Sequence, residues 1–167
     1  MGSIELIEDL FSDTVNEEWA NYILGLERVM QRGSGGQWWD GSTYTTHDTN
    51  AIASGPFDDL LKAATEHVNG LSPEKLKVAH SWANIARKKD RQDYHCHSDS
   101  IFSVVYYVKA PIGSSNIVFQ ESNMNVLEYE AKEGRLLIFN ASLRHRVPEG
   151  TSTDPRISIA MNFIKEK

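Results

Sequence analysis

The chain has 167 residues, 40% of them hydrophobic, which is the usual size of one domain able to bury a core without cross-links. Seventeen basic against 23 acidic residues give a net charge of −6, which disfavours a general affinity for phosphate backbones or anionic membrane surfaces. The single cysteine, Cys96, permits no intrachain disulfide and suits a reducing compartment. Met1 to Phe11 lacks the basic and apolar segments of a signal peptide, and no apolar run approaches the roughly 18 residues of a membrane span. The expectation is a soluble cytoplasmic domain spanning 1–167.

Helical patterns occupy the first part of the chain. Asn16 to Met30 carries Trp19, Ile23, Leu24, Leu26 and Val29 at helical spacing and stops before the glycine-rich run that starts at Gly33. Pro56 is suited to open a second helix, with Phe57, Leu60, Leu61, Ala64 and Val68 on one face and Gly70 as its stop. Between them, 33–55 is rich in Gly, Ser, Thr and Asp yet contains Trp38, Trp39 and Tyr44, which reads as a lid-like or packed flap. From Lys75 onward, short β-branched and aromatic runs broken by turn residues predict strands near 77–86, 93–97, 101–109, 116–120, 126–130, 135–140, 145–147 and 156–164. The basic run Arg87 to Arg91 reads as a solvated loop. Helices in 1–74 followed by eight strands in 75–167 predict a mostly β fold, a two-sheet sandwich or barrel flanked by two helices.

Six histidines are present, and His95, His97 and His145 fall on strands or strand ends of the β half. Strand side chains alternate, so His95 and His97 project to one face about 6.5–7 Å apart while Cys96 points away. Two imidazoles on one face can share a metal, and a rolled sheet can return His145 beside them. His47, His67 and His80 read as structural or surface residues. Eleven residues after His145, Arg156 and Ser158 share one face of a strand whose other face is apolar. An inward arginine is costly unless it meets an anion, and its planar guanidinium suits bidentate capture of a carboxylate.

The segment from Trp82 to Phe163 resembles the double-stranded β-helix core of iron(II)/2-oxoglutarate oxygenases, in particular the small members found in bacteria and phages. The resemblance rests on the ordered motifs Trp82-Ala83-Asn84, His95-Cys96-His97, Ser103-Val104-Val105-Tyr106-Tyr107, Gly134 to Phe139, His145, and Arg156-Ile157-Ser158. It implies a jelly-roll or cupin-like barrel binding Fe(II) and 2-oxoglutarate. It further implies that Arg156 and Ser158 hold the distal carboxylate of 2-oxoglutarate, with Tyr107, Asn84 and Ser103 at the same co-substrate. The implied activity is hydroxylation of a small-molecule or peptidyl substrate that the sequence does not identify.

The resemblance leaves two ligand registers: His95 and His97 with His145, or His97 and Asp99 with His145. The second is the two-histidine, one-carboxylate set common in the superfamily. Ser98-Asp99-Ser100 must also turn the chain before the strand that begins at Ile101, which favours the first. Two other classes fit part of the pattern. One is a three-histidine cupin-like oxygenase, which has no evident use for Arg156-x-Ser158, and the other a non-catalytic β-barrel binding module that keeps the barrel and has lost the metal.

Overall fold

The computed structural model describes residues 4–32 and 43–167. Among these, two helices and ten strands follow the order β1 (Glu5–Ile7), α1 (Asp13–Val29), β2 (Tyr44–Thr45), α2 (Asp58–Leu71), β3 (Leu76–Ala86), β4 (Gln92–His95), β5 (Phe102–Lys109), β6 (Ile117–Gln120), β7 (Val126–Tyr129), β8 (Leu136–Asn140), β9 (Arg144–Val147) and β10 (Arg156–Lys165). The strands form a six-stranded sheet, β1-β8-β5-β10-β3-β2, and a four-stranded sheet, β4-β9-β6-β7. Every pairing is antiparallel.

Helix α1 begins three residues before the predicted start because Ser12 caps it, its Oγ accepting from the Val15 amide at 3.3 Å. Asp13 in the first turn and Arg28 in the last complement the helix dipole. Asn16, Trp19, Ala20 and Ile23 are buried on one stripe of α1, and Leu60, Ala64 and Val68 on one stripe of α2. Pro56 lies outside α2, whose N-cap is Phe57.

Both stripes pack on one face of the large sheet, against Ala83, Ile85, Val104, Tyr106, Ile157, Ile159, Met161 and Phe163. A smaller cluster of Tyr107, Ile117, Phe119, Leu137 and Phe139 joins the opposite face to the small sheet. Strand β10, hydrogen-bonded between β5 and β3, is buried over its first eight residues because both of its faces are covered. Alternation sends Ile157 and Ile159 to the helices and Arg156, Ser158, Ala160 and Asn162 to the space between the sheets.

The eight predicted strands are all present, and two very short ones, β1 and β2, are additional. Of the two readings of the aromatic loop, lid-like or packed, Tyr44 takes the packed one. This residue lies in the helix-side core, 7% exposed, with its hydroxyl 3.4 Å from the Met30 carbonyl. Trp38 and Trp39 lie outside the described residues.

Candidate active site

The small sheet positions the histidines. His95, the last residue of β4, is paired directly with His145 on β9, and a register irregularity separates this pair from Gln92–Val147. His97 lies two residues past β4, fixed by its amide donating to the Ala141 carbonyl at 2.8 Å. The ring centroids are 4.2 Å apart for His95 and His145, 5.2 Å for His95 and His97, and 5.4 Å for His97 and His145. One ligand atom from each ring lies within 4.8 Å of the others.

The rings are oriented and kept neutral by their surroundings. His95 Nδ1 is 2.7 Å from the Asp93 carbonyl, and His145 Nδ1 is 3.0 Å from the Leu143 carbonyl. A carbonyl only accepts, so each Nδ1 carries the proton and the lone pair resides on Nε2, the tautomer a metal-ligating histidine needs. Burial holds all three rings in the neutral form. It lowers the pKa of His95 to about 4; burial and then the neighbouring His95 lower that of His97 to about 4; and His145 is held well below the ordinary histidine value.

Asp99 is placed differently. A turn from His97 to Ser100, closed by the Ser100 amide donating to the His97 carbonyl at 3.0 Å, puts Asp99 at its exposed corner. The cavity between the sheets is lined by His95, His97 and His145 but not by Asp99.

Across this cavity stands Arg156, 4% exposed, at the start of β10. Its Nε donates to the Ser115 carbonyl at 3.0 Å, one terminal nitrogen lies 3.5 Å from the Tyr107 hydroxyl, and the guanidinium carbon sits 4.9 Å from the Tyr107 ring centroid. No carboxylate among the described residues pairs with it. A buried guanidinium supported by a carbonyl and an aromatic face, with no protein anion, is suited to an anion from outside.

Asn84, Ser103 and Ser158 line the same cavity. Tyr107 does not; it lies behind Arg156 in the small-sheet core and orients the guanidinium. Two further lining residues, Trp82 and Asn162, were not assigned roles from the sequence. Asn162 accepts from Ser103 Oγ at 2.8 Å and extends the alternation of Arg156, Ser158 and Ala160, which was the signal for it. Trp82 Nε1 and Asn84 Oδ1 are buried without a hydrogen-bond partner, a donor and an acceptor two residues apart on one strand. Buried polar atoms in native folds are satisfied, so these two point to a bound polar molecule.

A family model described as "Putative 2OG-Fe(II) oxygenase" matches residues 80–128 and 119–162, about half the chain and the part that holds every residue of the cavity. Solved structures share the fold over almost the whole length. A Pseudomonas putida prolyl-4-hydroxylase superposes with a TM-score of 0.74 at 12% identity, covering 98% of this chain and 93% of that one. The non-haem α-ketoglutarate-dependent epimerase SnoN from nogalamycin biosynthesis gives 0.81 at 11%, covering 97% and 77%. The viral collagen prolyl hydroxylase of Paramecium bursaria Chlorella virus-1, in its complex with 2-oxoglutarate, gives 0.69 at 14%, covering 96% and 94%. No curated protein matches the chain.

The family match thus falls on the segment that brings three histidines to face a buried arginine between two antiparallel sheets. The chain belongs to the iron(II)/2-oxoglutarate-dependent oxygenase superfamily, and its cofactors are Fe(II) and the co-substrate 2-oxoglutarate.

Proposed function

We propose that this oxygenase holds iron with His95, His97 and His145 and binds the distal carboxylate of 2-oxoglutarate on Arg156 and Ser158. The observation that carries this reading is one cavity between the sheets with the three imidazoles on the small-sheet side and, on the large sheet, a guanidinium without a carboxylate partner among the described residues. The residues fit both groups. Three neutral imidazoles, two of them with Nδ1–H engaged by backbone, suit a borderline divalent ion, and the orphaned atoms of Trp82 and Asn84 mark where a polar ligand is needed. The fold is read as a double-stranded β-helix, with 1–74 buttressing the large sheet and 75–167 forming the catalytic core.

When bound, iron would supply oxygen activation, with dioxygen as the oxidant and 2-oxoglutarate as the two-electron reductant that is decarboxylated to succinate and carbon dioxide. The chain's own residues bind, orient and exclude water. Arg156 fixes the far end of the dicarboxylate, and Tyr107 and the Ser115 carbonyl keep the guanidinium from rotating away. Ser158 lies two residues along the same face to donate to that carboxylate. Ser103, held by Asn162, and Asn84 line the path back to the histidines. Phe139 packs 5.0 Å from His145 and Phe119 4.8 Å from Phe139, an apolar wall that keeps solvent from the small-sheet side.

The expected outcome is hydroxylation of a small-molecule or peptidyl substrate in the cytoplasm. The three-histidine set also suits an oxygenase that uses no 2-oxoglutarate, but such a site gives Arg156 no partner. The deciding experiment is anaerobic titration of iron-loaded protein with 2-oxoglutarate, followed by its metal-to-ligand charge-transfer band. Wild type should develop the band, and variants at His95, His97 or His145 should not. A band of full strength in the His97→Ala protein would remove His97 from the ligand set.

A further inference from the structure

A second group of metal-ligating side chains lies one indole ring from the first. His47, Asp48 and His80 each offer a ligand atom within 4.8 Å of the others. His47 Nδ1 is 2.9 Å from Asp48 Oδ1, and the His47 and His80 rings are 4.5 Å apart. Both rings pack on Trp82, at 4.7 and 4.9 Å, and Trp82 in turn lies 5.7 Å from His97. None of the three lines the cavity between the sheets.

The group is built on fixed backbone. His80 precedes Trp82 and Asn84 on one face of β3, and the β3–β10 ladder changes register there, Asn162 facing His80 and Phe163 facing Val78. The extra residue re-aims the strand, as bulges beside functional sites do. The segment carrying His47 is clamped to the same strand, the Thr46 amide donating to the Ala83 carbonyl at 3.0 Å and the Ala83 amide to Thr46 Oγ1 at 2.9 Å. The His47 amide donates to Thr45 Oγ1 at 3.0 Å, and Asp48 adopts a left-handed φ of 67° that an aspartate tolerates.

We propose that His47, Asp48 and His80 form a second divalent-metal site, selective for a late first-row ion such as Zn(II). Two imidazoles and one carboxylate form a donor set such ions bind strongly, and they reject Ca(II) and Mg(II), which require oxygen donors throughout. Bond lengths near 2.0–2.2 Å place tetrahedral donors about 3.3 Å apart, so closure asks for side-chain rotations on the order of an ångström. Three protein ligands leave one position for water or a donor atom of substrate beside the cavity.

The test is titration of chelator-treated full-length protein with zinc chloride by isothermal calorimetry, with metal content checked after desalting. Wild type should take two equivalents. His80→Ala, His47→Ala and His145→Ala should each take one, and the double variant His80→Ala/His145→Ala none. Asp48→Asn, at an exposed position, should keep the fold and weaken the second equivalent by tenfold or more. The iron and 2-oxoglutarate charge-transfer band of His80→Ala should persist. One equivalent in wild type, lost in His145→Ala, overturns the second site and leaves the iron site standing. One equivalent lost only in His80→Ala supports the second site and overturns the first. Two equivalents retained by both His80→Ala and Asp48→Asn overturn the proposal.

Discussion

His95 and His145 form a direct cross-strand pair, with ring centroids 4.2 Å apart between β4 and β9. Each ring donates Nδ1–H to a carbonyl two residues earlier in its own strand segment, Asp93 and Leu143. The two imidazoles are therefore oriented by local backbone, and in the proposed ligand set His97 joins them from beyond the strand end. A site preorganised this way should depend steeply on each ligand. His145→Ala is expected to lose iron, seen as less than a tenth of wild-type metal content after anaerobic reconstitution and desalting. Full occupancy in the variant would exclude His145 as a ligand.

The exposed turn position of Asp99 gives a contrast between neighbouring residues. Asp99→Ala is expected to retain iron and 2-oxoglutarate turnover within about twofold of wild type, as is usual for a surface change that removes no buried contact. His95→Ala is expected to lose both. Metal content and succinate formation, measured side by side, check this. Loss in Asp99→Ala with retention in His95→Ala would move the ligand set to His97, Asp99 and His145.

Acid should destabilise the metal-free protein through the same histidines. His95 and His97, with pKa values near 4 when folded and near the ordinary 6.5 when unfolded, bind protons more readily in the unfolded chain. Unfolding therefore takes up protons between those values, and stability is full above pH 6.5 and falls as pH drops toward 4. Each fully effective group contributes a slope of about 1.4 kcal/mol per pH unit in that window. Urea denaturation of chelator-treated protein from pH 7 to pH 4.5 should show the decline, and His95→Gln should flatten it. A profile for His95→Gln parallel to that of wild type would show that this residue is not held neutral by burial.

The strand pattern made much of this legible. Alternation alone places His95 with His97, and Arg156 with Ser158, on common faces, and the β-branched runs mark β3 to β10 within two residues at every end. Period-2 reasoning extended by four residues would also have reached Asn162. Other features depend on contacts between distant segments. Strands β1 and β2 are three and two residues long and exist because β8 and β3 offer them partners. Tyr44 looks like a loop aromatic, yet it belongs to the core because Thr46 ties its segment to β3. His47 and His80 are 33 positions apart, and no local rule indicates that their rings lie 4.5 Å from each other. The role of Tyr107 shifted for a similar reason: its face was legible, but not that Arg156 would lie over its ring.

The final expectation concerns Arg156, whose burial without a protein carboxylate separates a ligand-binding role from a structural one. Breaking a desolvated, hydrogen-bonded charge pair costs about 2–5 kcal/mol, so Arg156→Ala should weaken 2-oxoglutarate binding by about 30-fold or more while iron binding stays near wild type. Arg156→Lys should recover only part of the affinity, since an ammonium lacks the planar fork that matches a carboxylate. Arg156→Met adds a control. A guanidinium in a structural ion pair would leave a buried carboxylate stranded on removal, but here the residue's supports are the Tyr107 ring, which tolerates an apolar neighbour, and the Ser115 carbonyl, which loses one hydrogen bond. The apo form of Arg156→Met should thus be destabilised by no more than about 1–3 kcal/mol, the cost of one stranded buried acceptor, and by less to the extent that removing a buried charge is itself favourable. Titration of the charge-transfer band gives the binding constants, and urea denaturation of the apo proteins gives the stabilities. Weak 2-oxoglutarate binding together with a stability loss within that range assigns the arginine to the co-substrate. Wild-type affinity in Arg156→Ala, or severe loss of stability in Arg156→Met, would assign it to the fold and withdraw it from the co-substrate site.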